Sequence, residues 1–302
     1  MSGNAGPQKQ GGALAALAIT AGIWGIGPVF IRTLSVDLGP ADHLAIRYAI
    51  VAVAYLAGLA VLGGCRIQRH DCPRLLLISV VGMLGYNLGS AFGFAHVTAG
   101  IGSLIIGTQP LLIALLGSAV AKEKLTTAGL IGLLTGFTGT VLLVWRDAGI
   151  SANSANFLEG SALVFGAGVA WAIYVIGSKP LVNRYGAFAI TAWTNSIAAA
   201  CLLALFGRPS ALATAFAMPA HSWLEMAYMA GFSTFIASIL WNYGAGRLPS
   251  AAAGAFIYLV PIIGVAASAL LLDEPITSGM VAGGGLILAG VAIAQFAPAW
   301  ER

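Results

Sequence analysis

Charge is what this 302-residue chain has least of: 14 Lys and Arg and 10 Asp and Glu, together 8% of the residues. Soluble domains carry about 25%. With 59% of the chain apolar and 40 Gly besides, a soluble globule would have too little polar surface to cover itself. A soluble domain, a disordered chain and a nucleic-acid binder are excluded, and the mean hydropathy of +0.92 marks a membrane protein. The net charge of +4 then reports loop orientation, not an electrostatic footprint for DNA or RNA. Cysteine is scarce too. Cys65, Cys72 and Cys201 make no disulfide framework, and the first two flank a basic stretch that reads as cytoplasmic, where thiols stay reduced. His43, His70, His96 and His221 fall at connections, with no metal-ligand spacing and no Ser or Cys partner in a nucleophile arrangement. No catalytic residue, metal or cofactor is expected, so an intramembrane enzyme is the weaker reading. Acidic residues are missing from the span interiors: Glu159, Glu225, Asp273 and Glu274 all sit near span ends. A buried carboxylate is what an ion-coupled carrier ordinarily displays, and its absence favours a facilitator.

What the chain does have is long apolar runs. A helix needs about 20 such residues to cross the hydrocarbon core, and by that ruler ten spans are predicted, near 13–31, 44–63, 75–95, 99–120, 127–145, 160–178, 187–206, 224–243, 250–272 and 280–297. None shows the polar/apolar alternation of a barrel strand, so the fold class is an all-α membrane bundle. The first run lacks a small-residue cleavage site and reads as a retained span. With the N-terminus cytoplasmic, that face collects Lys9, Arg66, Arg69, Arg74, Lys122, Lys124, Lys179, Arg184, Arg247 and Arg302; the other receives Arg32, Arg146 and Arg208. Both termini are therefore predicted cytoplasmic.

The polar stretch from Arg146 to Glu159 divides the spans five and five. A shift of 151 positions lays Pro110 on Pro261, Glu123 on Glu274, Thr126 on Thr277, Gly132 on Gly283 and Gly139 on Gly290; a slightly different shift lays Trp24 on Trp171. An odd number of spans per half turns the second half over, which is the inverted-repeat architecture of many secondary transporters. The expected organisation is a cytoplasmic tail 1–12, a five-helix repeat 13–150, its inverted copy 151–298 and a tail 299–302. Gly85, Gly89 and Gly93, Gly132 with Gly136, and Gly279 with Gly283 repeat every four residues, the spacing that lets helix backbones approach closely in lipid.

Aromatic and neutral polar residues lie at mid-span, away from the interfaces where Trp and Tyr ordinarily collect. Trp24, Tyr86, Asn87, Gln109, Trp171, Tyr174, Trp193, Asn195 and Tyr258 together suggest apolar cavity walls with a few orienting groups. Arg47, three or four residues inside the second span, reads either as a cation snorkelling to the outer interface or as one facing that cavity, to meet a substrate carboxylate or to order the second helix. Pro110 and Pro261, at symmetric mid-depth, read as hinges or static kinks, and Pro28 bends the first span. Trp223, Trp241 and Trp300 lie near span ends and read as interface anchors. Glu123 and Glu274 read as caps of the fifth and tenth helices, with Pro275 in a first helical turn.

Trp24-Gly25, Arg47-Tyr48, the Pro110…Glu123-x-Leu125-Thr126 stretch and Pro261…Asp273-Glu274-Pro275-Ile276-Thr277 followed by a Gly-rich last helix together resemble the drug/metabolite transporter superfamily, specifically its ten-helix EamA-type members. The resemblance covers nearly the whole chain. It implies two inverted five-helix repeats and alternating-access export of amino acids or related metabolites across a bacterial inner membrane, with helices 1 to 4 and 6 to 9 around the pocket. The aromatic interior is similar to the aromatic amino-acid exporter branch. The expected partners are a small-molecule substrate and the lipid bilayer, with no nucleic acid, the chain working as a monomer. A broad exporter of cationic drugs is the alternative, and it would call for a buried carboxylate.

Overall fold

The computed structural model describes residues 7–62, 66–121, 127–150, 154–247, 256–257 and 259–296, and among them there is no strand. In lipid each backbone N–H must find its acceptor within its own segment, so the apolar runs become helices: α1 Pro7–Asp37, α2 Pro40–Leu62, α3 Arg69–Phe94, α4 Ala99–Ala119, α5 Thr127–Ile150, α6 Ser154–Tyr185, α7 Ala187–Phe206, α8 Ala220–Ala245, α9 Leu259–Leu271 and α10 Ser278–Phe296. A short helix, Pro209–Ala217, joins α7 to α8. Helices α1 to α8 are long and apolar enough to cross a membrane, and the described parts of α9 and α10 are shorter apolar helices.

The helices outrun the predicted spans. α1 begins within the stretch read as a tail, and α5 and α6 absorb most of the polar stretch 146–159. Asp147 holds the end of α5 to the last helix by accepting from Thr277 Oγ1 at 3.1 Å. Polar residues are no bar to helix here, because the extra turns need not lie in hydrocarbon.

Helix pairings between the halves include α5 with α10, α2 with α7, α4 with α9, α1 with α8 and α9, and α6 with α3 and α4. These pairings are unchanged when α1–α5 are exchanged in order with α6–α10. Finer features obey the same exchange. The turns leading into α2 and α7 use Gly39 and Gly186, each at positive φ (80° and 90°), where a side chain would be strained. Both α3 and α8 contain a π-helical segment, Ile78–Leu84 and Tyr228–Ile236. Where α5 crosses α10, a Cβ on Gly139 would lie 2.6 Å from the Gly283 carbonyl oxygen, and one on Gly290 would lie 2.5 Å from that of Gly132. The repeat offset of 151 converts one of those two contacts into the other.

Candidate substrate cavity

A cavity of about 70 Å³, open to the centres of roughly five to seven water molecules, lies between the halves. Its walls come from α1, α2, α3, α4, α6, α7 and α8 and from Ile257 and Val260 at the start of α9. The two π segments sit beside it and contribute Met83, Met229, Ser233 and Thr234. A π segment is one residue per turn out of α register, which frees carbonyls and re-aims side chains. Here the Ser233 carbonyl takes the Trp24 indole N–H (3.1 Å) and the Thr234 carbonyl takes the Tyr55 hydroxyl (2.8 Å).

Trp24 thus fixed is the centre of an aromatic wall. Its ring meets Trp171 edge-on (5.3 Å, 89°) and Trp241 at a tilt (5.4 Å, 40°), and Trp171 in turn meets Tyr86 (5.3 Å) and stacks on Tyr174 (5.2 Å). Such ring pairs contribute about 0.5–1.5 kcal/mol each beyond the area they bury, so the wall is stiff as well as apolar.

Arg47 supplies the charge. It is 3% exposed and does not reach an interface. Its Nη2 donates to Asn87 Oδ1, an oxygen left available because Asn87 Nδ2 donates back to the Met83 carbonyl at 2.8 Å. Its Nε is buried without a hydrogen-bond partner, and its guanidinium lies 5.2 Å from the Tyr48 ring centroid. Among the described residues lining the cavity there is no Asp or Glu. Two further lining groups are unpaired: Ser90 Oγ, and Asn195 Oδ1, whose amide Nδ2 is turned to the Thr191 carbonyl (2.9 Å). Among its described residues the chamber therefore offers one cation without a counter-ion and a few neutral polar atoms on apolar, aromatic walls.

Of the residues singled out in the sequence, Trp24, Arg47, Tyr86, Asn87, Gln109, Trp171 and Asn195 line this one cavity. Tyr174 stands behind the wall, fully buried, with its hydroxyl accepting from Asn242 Nδ2 at 3.2 Å. Trp193 packs against the core alongside. Tyr258 lies outside the described residues, as do Glu123, Cys65 and Trp300. Pro110 follows a break in α4 at Gly107-Thr108, where the helix restarts at Gln109. Pro261 is on α9, where a Cβ on Gly107 would come within 3.2 Å of its Cγ. Neither proline lines the cavity. Ser233 and Thr234 escaped notice, yet a shift of 150 from Met83 and Leu84 lands on them.

Four readings need correction. Trp241 is no interface anchor: it is 5% exposed and packs on Trp24. Its neighbours are in α1, which local hydropathy cannot reveal. His43 is not at a connection but inside α2, fully buried and 3.0 Å from Ser35 Oγ through Nδ1. Glu274 caps a helix other than its own, accepting from the Ala99 and Gly100 N–H groups (3.0 and 3.1 Å) at the start of α4, whereas Thr277 caps α10 through the Met280 N–H. Pro275 lies in the connection before α10. Trp223, by contrast, is exposed on α8.

Two contacts outside the cavity join helix ends. At the start of α3, Asp71 accepts from Arg184 Nη1 and Tyr185 Oη at the end of α6, each at 2.6 Å. At the start of α8, Glu225 accepts from Thr33 Oγ1 near the end of α1, also at 2.6 Å. The exchange of halves carries α3 to α8 and α6 to α1, so the two latches are counterparts.

Comparison with known proteins identifies the family. The model of the EamA-like transporter family matches residues 11–145 and 158–295, one segment in each half. The chain is 26% identical to a "Probable terminal-alkyne amino-acid exporter" of Streptantibioticus cattleyicolor, over 94% of this chain and 93% of that protein. It is 25% identical to a "Probable amino-acid metabolite efflux pump" of Escherichia coli, over 97% of each. An "Uncharacterized transporter" of Archaeoglobus fulgidus is 26% identical over 92% of this chain and 96% of its own length. A crystal structure 21% identical in sequence superposes with a TM-score of 0.62, covering 93% of this chain and 96% of that one, and so shares the fold.

Proposed function

Since the chain belongs to the EamA-like transporter family, we propose that it is a secondary transporter of the bacterial inner membrane that exports amino acids with aromatic or bulky apolar side chains, or related metabolites. The observation that carries this reading is Arg47: a buried guanidinium with an unpaired Nε, on a cavity with no described acidic residue. A buried charge without a partner costs several kcal/mol. A substrate carboxylate removes that cost, and the Trp24–Trp171–Tyr86 wall takes an apolar side chain. The same cation disfavours a broad exporter of cationic drugs.

The mechanism we infer is alternating access. Ten spans form two inverted five-helix repeats around the cavity, with both termini cytoplasmic, and one chain suffices because both halves of the site lie within it. The Asp71 and Glu225 latches are then the inner and outer closures, opening in turn as the halves rock. With no Asp or Glu among the described residues lining the cavity to hold a coupling proton or sodium ion, transport runs down the substrate gradient.

The test is flux of a panel of labelled amino acids through proteoliposomes. Arg47→Gln should lower flux of the active substrates tenfold to a hundredfold, the worth of one or two charge-assisted hydrogen bonds. Arg47→Lys should retain part of it, because an ammonium keeps the charge but not the fork. Flux unchanged in Arg47→Gln would end the carboxylate reading, and flux that required an imposed pH or sodium gradient would end the facilitative one.

A further inference from the structure

An amino acid brings an ammonium group as well as a carboxylate, and this cavity has no described anion to receive it. The acceptors must be neutral oxygens. Proline has no N–H, so a proline inside a helix leaves the carbonyl four residues earlier without its intrahelical donor. Pro73 in α3 and Pro180 inside α6 follow Arg69 and Ile176 by four residues, and neither of those lines the cavity; three other prolines stand beside it, Pro28 inside α1 and Pro110 and Pro261 in the first turns of the second part of α4 and of the described α9. Counting back four residues from each of these three gives Trp24, Ile106 and Ile257. All three line the cavity. Lining also continues past each break, with Gly27 and Pro28 in α1, Gln109 in α4 and Val260 in α9. The Ile106 and Ile257 pair is related by the repeat offset of 151. Asn195 adds a fourth oxygen, for its amide is oriented by the bond to Thr191 and its buried Oδ1 has no partner.

We propose that the substrate's amino group is bound by helix carbonyls released by prolines, those of Trp24, Ile106 and Ile257, together with Asn195 Oδ1. Broken helices hold coupling cations in other transporters in this way, through unwound backbone carbonyls, and an ammonium group is a cation of the same charge. Ammonium binding without a carboxylate leaves Arg47 as the only full charge among the described lining residues, so its attraction for the substrate carboxylate is not cancelled. The site accordingly selects α-amino acids over carboxylates that lack the amine. On this account the prolines are ligand-presenting residues, beyond any role in bending the helices, and the proposal rests on the amino-acid reading above.

Equilibrium binding to the purified protein, with L-phenylalanine and 3-phenylpropionate as probes, separates the possibilities. The two ligands share carboxylate and ring and differ in the amine. The wild type should bind L-phenylalanine more tightly. Pro110→Ala and Pro261→Ala each return an N–H to the released carbonyl, and Asn195→Leu removes its oxygen. Each should weaken L-phenylalanine about tenfold, the worth of one hydrogen bond to a charged group, while the Kd for 3-phenylpropionate stays within about threefold. Retained 3-phenylpropionate binding also certifies that a variant is folded. Parallel weakening of both ligands in the proline variants would identify the prolines as hinges or packing elements and overturn the proposal. So would a wild type that binds both ligands equally. A wild type that binds neither, or whose L-phenylalanine binding survives Arg47→Gln, overturns the amino-acid reading itself, an outcome distinct from the loss of selectivity.

Discussion

Replacing Gly139 by alanine adds one methyl group at the α5–α10 crossing, and its fate can be worked out atom by atom. The new Cβ would lie 2.6 Å from the Gly283 carbonyl oxygen, 2.7 Å from the Ile287 nitrogen and 2.8 Å from the Leu286 Cβ. The first two are backbone atoms, which cannot swing away as the end of a side chain can. The helices must separate, and overpacking of that kind costs about 1–3 kcal/mol. At about 2–4 °C per kcal/mol for a chain of this size, the melting temperature in detergent should fall by several degrees. Gly285, on α10 as well, is the matched control, since nothing lies within 4 Å of its Cβ position. There alanine should be neutral or gain up to about 1 kcal/mol from helix propensity. Neither glycine lines the cavity, so substrate affinity should be unchanged in both variants at a temperature where both are folded. The measurement is a thermal scan of the purified proteins with binding alongside. Gly139→Ala as stable as the parent, or Gly285→Ala equally destabilised, would refute the assignment of α5 and α10 as a tightly fitted pair.

Two further outcomes follow from the contacts around the cavity. Trp24→Phe keeps a ring but loses the N–H that the Ser233 carbonyl accepts; it should leave that π-segment carbonyl unpaired and weaken substrate binding about threefold to tenfold, and binding equal to wild type would show that the indole's anchorage does not matter. Asp71→Asn removes the ion pair with Arg184 and should speed labelling of a single cysteine at Ser238, in the cavity wall, by an impermeant thiol reagent applied on the face bearing residues 66–74, several-fold; an unchanged rate there would remove Asp71 as a closure.

Much of this architecture is written in residue types. Apolar runs of about 20 residues place the helices, and the scarce residues, Pro110 with Pro261 and Glu123 with Glu274, point to the repeat. The cavity's polar set is legible for the same reason: Arg47, Asn87, Gln109 and Asn195 are groups that lipid will not accept, so they mark the interior. What escapes is register. The π segments 78–84 and 228–236 differ from α-helix by one hydrogen-bond step, which leaves composition and hydropathy untouched, and with them went Ser233 and Thr234. The faces covered by neighbouring helices were equally hidden. Trp241 near a span end and His43 near a turn look like boundary residues until α1 is laid against them, through Trp24 in one case and Ser35 in the other.

The exchange of halves also explains where the sequences of the repeats had to part. The offset of 147 that joins Trp24 to Trp171 and Gly39 to Gly186 lays Arg47 on Thr194 and Tyr48 on Asn195. Two aromatic rings can meet between the halves, and Trp24 and Trp171 do, at 5.3 Å. Two arginines could not, because like charges close together in a low-dielectric interior repel strongly. A ligand with an acid at one end and an amine at the other has no two-fold symmetry either. A site on the axis can hold it in one orientation only if the halves offer unlike groups, a cation from α2 and a neutral acceptor from α7. On the function proposed above, the absence of a second arginine is thus a condition for orienting the substrate, and the repeats diverge at the positions where the ligand's own asymmetry demands it.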